Sequence, residues 1–160
     1  LLLLFRYFYL YWYRIRYFID KEPKMSDLKT TQTEQAPAPF ATVTITTPAT
    51  TLEWSPTLLD GRRVDYKAAV EAVAALGEGW RMPTRAELVS LIDDTRLGPA
   101  INTDLFPDTK STWYWTGTPC KWDEESGENA ARWVVGFDYG DVGHYGIYGS
   151  ACVRAVRGGQ

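Results

Sequence analysis

Residues 79–93 read Gly79-Trp80-Arg81-Met82-Pro83-Thr84-Arg85-Ala86-Glu87-Leu88-Val89-Ser90-Leu91-Ile92-Asp93. Thr84 and Glu87 stand in Thr-x-x-Glu spacing. In a capping box, the hydroxyl accepts from the Glu87 N–H while the Glu87 carboxylate reaches back to the Thr84 N–H. Pro83 favours an extended entry and has no N–H to satisfy. Leu88, Leu91 and Ile92 follow at helical spacing, so the pattern predicts a short helix over residues 85–93 with one apolar stripe. Trp80 and Arg81, a large ring beside a rigid charged fork, stand ready to anchor its entry against a core.

Upstream, residues 41–47 alternate Thr with Val43 and Ile45, a strand pattern, and residues 51–55 with Leu52 and Trp54 read as a second short strand. Residues 56–63 form a loop around the turn pair Asp60-Gly61. Asp65 is positioned to cap a helix over residues 66–76, in which Tyr66, Ala69, Val70, Val73 and Ala74 keep the 3.6-residue period and Gly77 ends the run. Downstream, residues 95–110 lack periodicity and read as a surface loop. Residues 112–118 (Thr-Trp-Tyr-Trp-Thr-Gly-Thr) carry the highest strand propensity in the chain. Residues 119–129, with Asp123, Glu124, Glu125 and Glu128, read as a solvated loop. Strands follow at 132–137 and 142–148 around a turn at Gly140, and residues 151–156 close the chain. The expectation is an α+β domain over residues 41–160, two helices followed by a twisted antiparallel sheet with long loops over it.

Several of these segments resemble one known family. Trp80-Arg81-Met82-Pro83-Thr84-x-x-Glu87-Leu88-x-x-Leu91-Ile92-Asp93 is similar to the Trp-Arg-Leu-Pro-Thr-x-x-Glu-Leu signature of the Lcl C-terminal domain family. Ile101-Asn102-Thr103-x-Leu105-Phe106-Pro107 resembles that family's Ile-Asn-Thr-x-x-Phe-Pro segment. The aromatic strand at 112–118 and the closing Val153-Arg154-Ala155-Val156-Arg157 resemble its later strands. The family is named for the C-terminal domain of a bacterial collagen-like adhesin and includes bacterial and phage proteins. The resemblance, over residues 52–158, implies a C-type-lectin-like fold and a ligand-recognition role. Where the family often has Cys between its closing arginines this chain has Ala155, so any bridge made from there is lost.

Composition bounds the function further. The 160 residues suffice for one domain with a real core. A net charge of −3 and the absence of a basic stripe argue against a nucleic-acid partner. Residues 1–19 are almost wholly Leu, Tyr, Phe, Trp, Ile and Arg, about the length of a bilayer span. Arg6, Arg14 and Arg16 inside the run weigh against a membrane helix, and no small-residue cleavage site follows. Met25 opens an ordinary soluble start, and Lys21-Glu22 is encodable as AAG-GAG, a bacterial ribosome-binding sequence. Residues 1–24 are therefore expected to be translated leader, with a hydrophobic membrane segment as the alternative. Removing them takes away five of 17 basic and two of 20 acidic residues and leaves a net charge of −6. Residues 25–40, rich in Thr, Gln, Ala and Pro, read as a flexible tail or attachment segment. The expected protein is made in the bacterial cytoplasm without a clear signal peptide, with a virion as one destination, and has no membrane partner.

No catalytic constellation is visible. The single histidine, His144, has no nucleophile elbow near it and cannot by itself supply a histidine-based metal triad. Cys120 and Cys152 are too few for a disulfide scaffold or a four-cysteine zinc site. A bridge between them would close a 31-residue interval for about 3–4 kcal/mol, but without a secretion signal free thiols are expected. The sugar-binding triplets of calcium-dependent lectins are absent, and the acids at 123–128 are expected to be solvated rather than to gather calcium. No cofactor and no metal is called for. Arg154 and Arg157 are expected to latch strand ends to acids such as Asp93 or Glu87.

What remains is an aromatic surface. Tyr139, His144 and Tyr148 lie among glycines 140, 143, 146 and 149, and Trp122 sits on the acidic loop. Strand alternation places His144, Gly146 and Tyr148 on one face and Tyr145 and Ile147 on the other. Trp122, Tyr139, His144 and Tyr148 are the expected ligand-binding residues, with glycines leaving shallow grooves between the rings; the competing expectation is that the rings fill a small core. The sequence thus points to a non-catalytic domain that binds a cell-surface glycan or protein in adhesion or phage host recognition. The alternative is a structural virion component, a decoration or tail protein packed against virion proteins or identical subunits.

Overall fold

The computed structural model describes residues 40–47 and 50–159. The leader and most of the tail expected at residues 1–39 lie outside the described residues. The strand β1 (Val43–Thr46) is followed by β2 (Thr51–Thr57), the helices α1 (Tyr66–Ala74) and α2 (Arg85–Val89), then β3 (Trp113–Pro119), β4 (Arg132–Gly136), β5 (Asp141–Tyr145) and β6 (Arg154–Gly158). Short 3₁₀ turns occupy Leu59–Gly61 and Lys121–Asn129.

The strands form two three-stranded antiparallel sheets, ordered β1-β2-β6 and β3-β4-β5. The α+β class holds, with one correction: the sheet is not confined to the end of the domain, because the first two strands pair with the last. The segment before β6 joins the two sheets. Cys152 donates its N–H to the Trp113 carbonyl (2.8 Å) and accepts from Trp115 N (2.9 Å), and four residues later Val156 exchanges hydrogen bonds with Arg81. The chain end is therefore part of both sheets.

The capping box forms as the sequence requires: Glu87 N donates to Thr84 Oγ1 (3.2 Å) and Thr84 N to Glu87 Oε2 (2.7 Å). Arg81 closes on the same carboxylate through Nη1 (2.8 Å) and Nη2 (2.6 Å). These donors hold the Glu87 carboxyl down at about 2, with the Arg81 hydrogen bonds contributing most. The helix is shorter than the expected 85–93. Leu91 and Ile92 turn with i→i+3 bonds, and Ile92 then leaves to bridge Ile101. In α1, Asp65 accepts from Ala68 N (2.8 Å) as the cap. The helix buries Ala69 and Val73 but leaves Val70 and Ala74 exposed, so the apolar stripe is rotated toward Ala72 and Leu76. Gly77 ends the run with φ +93°.

Two apolar clusters lie on opposite sides of the β3-β4-β5 sheet. Tyr114, Val135 and Phe137 pack with Leu88, Leu91, Trp54 and Val156. Trp115 and Val134 pack with Ala69, Val73, Trp80 and Val153, with Tyr66, Trp113 and Tyr145 half-buried against them. Gly117 is where the chain must lack a side chain, since a Cβ would stand 3.1 Å from Met82 Cβ, and its N–H donates to the Pro83 carbonyl (2.8 Å).

The arginine latches are real but their partners differ from those expected. Arg157 forks onto Glu53 (2.6 and 2.9 Å) rather than onto Asp93 or Glu87, because β6 lies beside β2. Arg154 is 1 % exposed, and its Nη2 donates to Asp108 Oδ1, Thr57 Oγ1 and Thr109 Oγ1, each at 3.0 Å. Asp108 also accepts from Thr57 N, so this group ties the 100–110 loop to β2 and β6. Asp93 pairs instead with Arg96 (3.1 Å).

Candidate ligand-binding face

The face begins with how far α2 reaches. This helix packs across β3 and β4, and its first residue is fixed there by Arg85 N donating to Thr118 Oγ1 (2.9 Å). On β5, Val142 (43 % exposed) and His144 alternate onto the side opposite Trp113 and Tyr145. His144 stands opposite Trp133 of β4 in the ladder. Trp122, 61 % exposed, arrives from the Lys121–Asn129 turns and meets both edge-on, with ring centroids 5.0 Å from His144 and 5.2 Å from Trp133. Trp133 and His144 are 6.4 Å apart. The Arg85 guanidinium lies 4.5 Å from the Trp133 ring centroid, a cation–π contact that caps one end of the group.

The turn carrying Trp122 is pinned. Asp123 accepts from Ser126 Oγ and from Ala131 N, both at 2.6 Å, and these bonds hold its carboxyl below the usual range. The loop expected to be merely solvated thus has a fixed frame at Asp123, while Lys121 and Glu124 pair on its exposed side. The result is a fixed, half-open group of three rings with apolar and hydrogen-bonding edges, suited to stacking against a sugar face or a flat peptide surface.

The four expected binding residues do not form one site. Trp122 and His144 meet. Tyr148 does not share the His144 face, because β5 ends at Tyr145 and residues 147–148 turn away. Tyr148 is 89 % exposed at the rim of a separate groove. Tyr139, 71 % exposed, sits in the β4–β5 turn, at the opposite end of that hairpin from His144. The expected grooves between rings are also mostly absent. A Cβ on Gly143 would lie 3.1 Å from the Trp113 indole, one on Gly149 3.0 Å from Tyr145 Cβ, and one on Gly140 3.1 Å from Ile92 Cγ2; only Gly146 borders open space. Trp133, Arg85 and Val142 escaped the sequence reading. The alternation Trp133-Val134-Val135 carried a trace of Trp133, since Val135 turned to the core on that side, but its meeting with His144 depends on strand register.

Cys120 and Cys152 are free and buried, and burial pushes both thiols up. Cys152 donates to the Gly61 carbonyl (3.2 Å). Among the described residues no three His, Cys, Asp or Glu side chains gather as a metal site, and no helix is long and apolar enough to cross a membrane. In comparisons with known proteins, the sequence profile of the Lcl C-terminal domain matches residues 43–157. No curated protein matches the chain.

Proposed function

The chain belongs to the Lcl C-terminal domain family, and from that premise we propose that it is a non-catalytic recognition domain of a C-type-lectin-like fold. It binds a cell-surface glycan or protein in adhesion or in phage attachment to a host. The observation that carries this reading is the Trp122–Trp133–His144 group, where three aromatic rings stay partly open to solvent beside a fully buried core. Rings with one polar edge, held on a rigid frame, give contact area at little entropic cost. The order of elements, two helices ahead of β3-β4-β5 with a long loop between, supports the lectin-like reading of the fold.

The test is retention of the full chain on glycan arrays and on whole bacteria, compared with Trp122→Ala and His144→Ala. Specific retention by the native chain, lost in both variants with unchanged circular dichroism, is the expected result. Retention that survives both substitutions would remove the site from this face. A folded native chain that binds nothing would favour a structural role in a virion.

A further inference from the structure

On the other side of the β4–β5 hairpin lies a groove of about 670 Å³, between α1 and the turn after β5. Pockets of this size hold small ligands or the end of a peptide. Its apolar wall is Val70, Ile147 and Tyr148, with Val70 39 % and Tyr148 89 % exposed. Arg132 and Tyr66 line it as well, the guanidinium 4.9 Å from the Tyr66 ring centroid. Among the described residues Arg132 is the lining cation with no acid partner, whereas Lys67 pairs loosely with Glu71 at 4.0 Å. Among the described residues its guanidinium makes one hydrogen bond, from Nη2 to the Glu128 carbonyl at 3.3 Å, and its Nε is buried without a partner. With Nε enclosed, the Nη groups make one long hydrogen bond between them, and beside an apolar wall they match a carboxylate attached to an apolar body. Of the lining acids, Asp65 is committed to capping α1, which leaves Glu128, with the Asn129 amide beside it, as an acceptor for N–H groups.

We infer that this groove captures the C-terminus of a partner peptide that ends in an apolar residue. The terminal carboxylate sits on Arg132, the last side chain lies against Val70, Ile147 and Tyr148, and the preceding backbone N–H faces Glu128 and Asn129. This is the general mode of C-terminal capture. It uses a different face from Trp122 and His144 and stands or falls independently of the function proposed above.

The test is titration of the full chain with acetyl-Ala-Ala-Leu as the free acid, as its C-terminal amide and with Asp in place of Leu, followed by ligand-observed NMR. Octanoate serves as a carboxylate without peptide groups. The expected result is that the Leu acid binds at least about tenfold tighter than the amide, the scale of one charge-assisted contact, and tighter than octanoate or the Asp peptide. Tyr148→Ala and Val70→Glu, both at the exposed rim, abolish the signal in a folded chain, and Arg132→Gln brings acid and amide to the same affinity. Equal binding of acid and amide, equal binding of octanoate, or no binding by the folded native chain would each overturn the inference.

Discussion

The two sides of the β4–β5 hairpin use the same kinds of residue to opposite ends. On the side of Trp113, Trp115 and Tyr145, inward of the groove beside α1, the rings pack around a buried centre: Trp115 is fully buried, its Nε1 donates to the Val64 carbonyl (2.8 Å), and Tyr66 and Tyr145 meet it edge-on. Gly143 exists there to admit the Trp113 indole. On the other side, α2 packs on β3 and β4, and Trp133, His144 and Trp122 touch one another while staying partly open. A buried ring with its polar edge satisfied serves folding. A ring fixed by its neighbours but left open is free to serve binding, because changing it opens no cavity. Stability and recognition are therefore separable across one strand.

That separation can be broken most directly at Trp115. Trp115→Ala is expected to cost about 3–5 kcal/mol, read as a lowered denaturant midpoint, and a cost under 1 kcal/mol would mean the side described as closed is not. Glu87→Gln comes next. Losing a charge-assisted pair with Arg81 costs about 1.5–3 kcal/mol at neutral pH. Because the Glu87 carboxyl is held at about 2 in the fold against an ordinary 4.5, its contribution is full above about pH 4.5 and fades as the pH falls through about 2. Unfolding measured from pH 7 to 2 should show that decline in the native chain and a shallower one in Glu87→Gln. Gly143→Ala sharpens the comparison on β5 itself: the new methyl meets the Trp113 ring at 3.1 Å, and a loss of about 1 kcal/mol is expected, although His144, its neighbour on the opposite face, is unmoved. Smallest is Trp122→Ala, expected to change stability by no more than about 0.5 kcal/mol, measured by thermal unfolding.

Local chemistry was legible in the sequence. Thr84 and Glu87 set the start of α2, Asp65 and Gly77 bracket the start and end of α1, and the alternation at Val43, Ile45, Leu52 and Trp54 marks the first two strands. What failed to read through depends on distant partners. Arg157 meets Glu53 104 positions away and Arg154 meets Asp108 46 positions away, and nothing local to either arginine identifies those acids. The helix ends early because Ile92 finds Ile101. The same holds for the site. Trp122 and His144 stood out as aromatic residues near glycines and acids, but Trp133 joins them only through the β4–β5 register and Arg85 only through the placement of α2. Tyr148 was grouped with His144 by extending strand alternation past Tyr145, where the strand had ended.

The most direct test of the separation is to combine Trp122→Ala with His144→Ala and measure, on one preparation, the thermal midpoint and the retention on bacterial surfaces that bind the native chain. A midpoint within a few degrees of the native value, as for substitutions that leave no cavity, is expected together with loss of retention. A steep fall in the midpoint would show that the open rings are part of the core, and undiminished retention at a native midpoint would show that the recognition surface lies elsewhere.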